Sequence, residues 1–119
     1  MIVGYVRDNM PRLSMALPGI NGELKIEFTL DTAFDGDFAL PALLISRLII
    51  LNVESKLVRF ADGSVKRKPH YEIEMEWDED IILAEVIEIE GNPLFGTGLL
   101  EGSSIHIEMF DGGEVTIEF

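Results

Sequence analysis

Strict alternation of apolar and polar residues, in short runs closed by turn signals, leaves this chain few folds other than a β structure. Leu24, Ile26, Phe28 and Leu30 fall on one side of an extended segment, and Lys25, Glu27 and Thr29 on the other. A period of two is the signature of a strand with one buried face. The pattern recurs at Leu13, Met15 and Leu17. It recurs again at Tyr71, Ile73, Met75 and Trp77, where Glu72, Glu74, Glu76 and Asp78 take the outer side. Short strands are also expected at Ile2–Val6, Leu57–Phe60, Val65–Lys68 and Ile81–Glu90. Others are expected at Ile105–Met109 and Val115–Phe119. The runs are separated by Asp8-Asn9-Met10-Pro11, Asn21-Gly22, Asp62-Gly63, Asp78-Glu79-Asp80 and Asp111-Gly112-Gly113. Asn-Gly and Asp-Gly between alternating segments are strong hairpin signals.

One segment departs from period two. Pro41–Leu51 is apolar nearly all round, with Leu44, Leu48 and Leu51 at helical spacing, and it predicts a buried helix. Pro41 suits its first turn and Asn52 its end. A single helical turn is predicted over Thr97–Leu100.

The chain has 119 residues, enough for one domain of ordinary size, and no linker or low-complexity segment divides it. It has no cysteine, which excludes disulfides, thiolate catalysis and cysteine-held metal and makes a reducing, cytoplasmic location the expectation. A net charge of −13 repels phosphate and anionic lipid, so neither nucleic acid nor membrane is an expected partner. No apolar run approaches the roughly 18 residues of a membrane span. The N-terminus has no charged segment followed by an apolar one, so no signal peptide is expected.

The chemistry gathers between Leu30 and Pro41. Asp31 closes a strand that reads as buried and opens the turn Thr32-Ala33-Phe34-Asp35-Gly36-Asp37. Burying a carboxylate there costs several kcal/mol unless hydrogen bonds or a partner offset the desolvation. Taken alone, Asp31 reads equally as a catalytic group or as a cap for the turn or the helix that follows. Gly36 is expected where φ is positive. Asp35 and Asp37 have the spacing of calcium ligands, but the bidentate glutamate of such a loop is missing, and they read as turn carboxylates. His70 and His106 have no partner at triad or zinc spacing. No metal or cofactor is expected. Trp77 and Tyr71 read as core. Lys66-Arg67-Lys68, the single basic run, reads as a solvated edge-strand device against aggregation.

The string Leu30-Asp31-Thr32-Ala33 resembles the catalytic loop of the retropepsin-like aspartic proteases. In that family an apolar residue, Asp, Thr or Ser and Gly stand in order. Ala33 departs from the family's glycine. Leu94-Phe95-Gly96 resembles the second hallmark of the family, two apolar residues and a glycine late in the chain. The two strand–loop–helix stretches would be the quasi-equivalent halves of one lobe. The resemblance implies an all-β, closed or partly closed lobe with one or two short helices. It implies a homodimeric peptidase acting on extended peptide or unfolded protein. Asp31 and its symmetry mate would then form the catalytic dyad, Thr32 would brace the loops across the dimer, and Ala33 and Gly36 would shape the loop. The hairpin around Asp62-Gly63, with Phe60 and Val65 lining it, would be the flap. The C-terminal strand would interleave with the N-terminal strands of both subunits. Two other readings stand beside this one: a peptide-binding or structural dimer without hydrolysis, and a monomeric acidic β-domain.

Overall fold

The computed structural model describes all residues, Met1–Phe119. Ten strands and one short helix follow in order: β1 (Ile2–Arg7), β2 (Met10–Gly19), β3 (Gly22–Leu30), β4 (Phe38–Leu40), α1 (Ala42–Ile45), β5 (Asn52–Arg59), β6 (Val65–Trp77), β7 (Asp80–Glu88), β8 (Leu94–Phe95), β9 (Ser104–Ile107) and β10 (Glu114–Glu118). They form one sheet in the order β5-β6-β7-β4-β8-β3-β2-β1-β10-β9. The sheet folds over so that β6 lies against β2, while its end strands β5 and β9 stay unpaired with each other.

The hairpins follow the turn chemistry. Asp8 and Asn9 (φ 53° and 59°) join β1 to β2, and Asp78 and Glu79 (φ 48° and 69°) join β6 to β7. Both are two-residue connections with positive φ at each central position, the twist-matching hairpin turn. Met10 and Pro11 belong to β2 rather than to the turn. Gly22 (φ 101°) closes the β2–β3 hairpin and Gly63 (φ 85°) the β5–β6 hairpin.

The helix expected over Pro41–Leu51 is only Ala42–Ile45. The chain leaves it because strand contacts compete for the backbone. Leu48 bridges Gly19, Ile49 N–H donates to the Pro18 carbonyl (2.9 Å), and Ile20 N–H donates to that of Arg47 (2.9 Å). Nor is the run buried throughout: Ile45 and Leu48 enter the core, while Leu43, Ile49 and Leu51 are exposed. Thr97–Leu100 is a turn closed by Leu100 N–H on the Thr97 carbonyl (3.0 Å), not a helix. β10 pairs with β1 on one side and β9 on the other, and β9 ends the sheet with its outer edge free.

The core sits beneath the middle of the sheet. Phe28 of β3, Phe38 of β4 and Phe95 of β8 are fully buried, with ring centroids 5.1, 5.5 and 6.5 Å apart. Burying each ring contributes about 2–3 kcal/mol, and tilted pairs add about 1 kcal/mol each. Trp77, as its alternation predicts, packs on this cluster (5.7 Å to Phe95), and its indole N–H donates to the Leu99 carbonyl (3.1 Å). Tyr71 also packs against the core.

Candidate active site

Three adjacent strands carry the site. β8 lies between β3 and β4, parallel to the first and antiparallel to the second. The loop leaving β3 at Asp31 and the loop leaving β8 at Gly96 therefore emerge side by side. Four backbone bonds lock them: Asp31 N–H to the Phe95 carbonyl (2.9 Å), Gly96 N–H to Asp37 (2.9 Å), Thr97 N–H to Phe34 (2.9 Å) and Gly98 N–H to Gly36 (3.0 Å). The loops approach so closely that side chains do not fit. A Cβ on Gly96 would stand 2.2 Å from the Gly36 carbonyl oxygen, and one on Gly98 would stand 2.2 Å from Asp37 Oδ1. Real carbon atoms do not approach oxygen at that distance, so glycine is demanded by space rather than by backbone freedom. Gly36 belongs to the same contact. Its φ is not positive, contrary to expectation, and a Cβ there would strike the Phe34 ring at 2.5 Å.

Asp31 is half-buried at the head of this interlock, less enclosed than a carboxylate at the end of a buried strand was expected to be. Its Oδ1 accepts the Ala33 N–H (3.0 Å), its carbonyl accepts the Phe34 N–H (3.2 Å), and Oδ2 has no partner within the chain. Ala33 is exposed and lacks a positive φ, so its methyl group strains nothing. Thr32 is exposed beside it. Asp31, Thr32, Thr29, Asn92, Leu94 and Met10 share the wall of an open cavity of about 630 Å³.

A second cavity, about 340 Å³, separates the Phe34–Phe38 segment from the β5–β6 ribbon. Leu57, Val58 and Arg59 line it, together with His70, Glu85 and Ile87. Phe60 and Val65, expected to line such a hairpin, do not reach it. They are exposed at the tip, where Phe60 lies under Lys66 Nζ (6.0 Å to the ring centre). The tip is built as predicted: Asp62 Oδ1 accepts the Ser64 N–H (2.8 Å), and the Ser64 hydroxyl, with that N–H beside it, holds the Asp62 carboxyl below its ordinary range. The basic run lies along an open edge: over Lys66-Arg67-Lys68, β6 has β5 on one side only, and β7 joins it from His70 onward.

Asp37 was expected to be a turn carboxylate, and its role is larger. Its Oδ2 accepts the N–H of Glu85 on β7 (2.9 Å), and burial pushes its carboxyl above the ordinary value against the lowering effect of that bond. Asp37 thus ties the Asp31 loop to the strand on its other side. The sequence signal for it is the set of glycines, Gly36, Gly96 and Gly98, which the touching of two loops explains, with Asp37 between the first and the others.

No protein-family model and no curated protein sequence matches the chain. Among solved structures it is similar to the crystal structure of a retropepsin-like aspartic protease from Rickettsia conorii. The TM-score is 0.59 and the sequence identity 18%, over 100% of this chain and 92% of that one. The two chains share the path of the backbone at low sequence identity. The fold of this protein is therefore the retropepsin-like fold, with Asp31 and Gly96 at the head of its two interlocked loops.

Proposed function

We propose that this protein is a homodimeric aspartic endopeptidase that hydrolyses extended peptide or unfolded protein. The observation that carries the reading is the placement of Asp31. It stands where β3 enters a loop fixed by four backbone bonds to the Gly96 loop, with one carboxylate oxygen unpartnered and an open cavity beside it.

Peptide hydrolysis by carboxylates needs two of them sharing one proton. One takes a proton from the attacking water, and the other gives one to the carbonyl oxygen. Two carboxylates about 3 Å apart cannot both ionise cheaply, so the pair titrates as a unit. One chain supplies a single Asp31 loop, and a two-fold axis beside it supplies the second. Thr32, exposed next to Asp31, braces the loops across that axis in this reading. Ala33 is compatible with the loop, since its backbone is not in the glycine-favouring region. The β5–β6 ribbon is the cover. A strand-like substrate lies beneath it and gains main-chain hydrogen bonds while water is excluded. The absence of cysteine agrees with work in a reducing compartment.

A second reading keeps the fold and the dimer but only binds peptide. The bond from Ala33 N–H to Asp31 Oδ1 favours it, because a turn-capping aspartate makes that same bond. The test is cleavage of an unfolded peptide mixture by wild type and Asp31→Asn, scanned from acid to neutral pH and read by mass spectrometry. Cuts made by wild type alone establish the peptidase. Equal cutting by both proteins removes Asp31 from the chemistry. No cutting at any pH leaves the binding module. Sedimentation of the same samples reads the dimer.

A further inference from the structure

The β5–β6 ribbon outruns its support. β6 pairs with β7 only from His70↔Ile87 onward, whereas β5 and β6 remain paired out to Arg59↔Val65. The residues from Ser55 to Pro69 therefore form a two-stranded projection, and an isolated two-stranded ribbon is marginally stable in water. Most of the side-chain hydrogen bonds of this projection stay inside it or at its root: Ser64 to Asp62, Arg67 to Ser55 and His70 to Lys68. Lys56 is the exception. It stands opposite Lys68, two residues beyond the last β6–β7 pair, and reaches across β6 to the Glu85 carboxylate on β7. Glu85 is also the residue whose backbone N–H is held by Asp37 Oδ2 (2.9 Å), and Asp37 belongs to the loop that starts at Asp31. Leu57, next to Lys56, lines the cavity shared with Phe34, Asp37 and Glu85.

We propose that Lys56 is a positioning residue: through Glu85 and Asp37 it seats the β5–β6 ribbon at a fixed height above the Asp31 loop, and so sets how tightly peptide is held without entering the chemistry. The chain of contacts is continuous, from the Lys56 ammonium to the Glu85 carboxylate, along one residue to its backbone N–H, and into the Asp37 carboxylate. Glu54 (3.9 Å from Lys56 Nζ) lies two residues away on the same strand, at the root of the ribbon, so it does not join the ribbon to β7. The kinetic part of this inference rests on the peptidase reading, and the part concerning the ribbon does not.

The experiment compares wild type with Lys56→Met, Glu85→Gln, the double variant and Lys56→Arg. Amide hydrogen exchange of residues 55–69 in the free protein is read first, followed by cleavage kinetics on a peptide cut by the wild type. A partly exposed ion pair supports an effect of about threefold to fivefold. Each neutral variant is expected to speed exchange in the ribbon by that factor, with the remaining sheet unchanged, and to raise KM by a similar factor while kcat holds. The double variant is expected to be no worse than the worse single, since both changes break one contact. Lys56→Arg restores wild-type exchange. Additive single effects, exchange that rises across the whole sheet, or a fall in kcat at constant KM each overturn the proposal. If wild type cuts no peptide, the peptidase reading fails while the exchange measurements still decide the ribbon.

Discussion

The Asp31 loop and the β5–β6 ribbon border the same cavity, yet they are held in opposite ways. The loop is fixed by backbone hydrogen bonds to the Gly96 loop, by glycines packed against carbonyl oxygens, and by three phenylalanines beneath it. The ribbon is a pair of strands tied to the body by one side-chain contact. Under the proposed peptidase reading, the difference is what the site needs. A reacting group must keep its geometry to within a fraction of an ångström, whereas a cover must open. Stability is spent unevenly, and the low end lies where motion serves function.

The comparison breaks most visibly if the base of the loop is emptied. Phe95→Ala removes the ring that touches Phe28, Phe38 and Trp77. A loss of about 3–5 kcal/mol is expected in denaturant unfolding, with the cooperative transition kept. A loss under about 1 kcal/mol would mean that the three strands are not the mechanical centre of the fold.

The glycines sharpen the same contrast. Gly96→Ala puts a methyl group onto the Gly36 carbonyl, where the backbone of both loops must shift, and about 1–3 kcal/mol is expected to be lost. Gly63→Ala at the ribbon tip meets nothing within 4 Å and costs only its positive φ of 85°, about 1 kcal/mol. Most of that cost should appear as local opening in amide exchange rather than as a change in the global unfolding midpoint. If the two alanine variants unfold alike, the ribbon is part of the cooperative core and the contrast is wrong.

Legibility in the sequence follows the same division. Hairpins were readable because positive φ is a local demand, met by Asn, Asp and Gly at Asp8-Asn9, Gly22 and Gly63. The all-β class was readable because one-sided burial imposes period two, as Ile73 and Met75 show beside Glu74 and Glu76. The helix that the pattern predicts over Pro41–Leu51 is cut short, since Leu48 and Ile49 turn to Gly19 and Pro18 of a distant strand, and no local pattern announces a contact made across such a separation. The Asp31 loop was readable as a motif, but its partners were not. Gly36 reads locally as a φ requirement, whereas it answers to the Phe34 ring and to the second loop. Asp37 was passed over because its partner is a backbone N–H 48 residues away.

Asp37 offers the finest test of how loop and β7 are joined. Burial raises its folded-state pKa above the ordinary 3.8, so the folded chain holds this proton more tightly than the unfolded one. With more protons bound in the native state, stability falls as pH rises, from just below 3.8 up through the raised folded value, and stays lower above it. Asp37→Asn keeps an oxygen for the Glu85 N–H and abolishes the charge. The variant should therefore exceed wild type at neutral pH by a small margin, because the half-buried site is still screened by water. That advantage should vanish as pH falls through the carboxylate range. Asp37→Ala lacks the acceptor and should be less stable than Asn at every pH, since the Glu85 N–H loses its partner. Equal stability of the alanine and asparagine variants would show that water satisfies the Glu85 N–H, and that the loop is held by its glycine contacts alone.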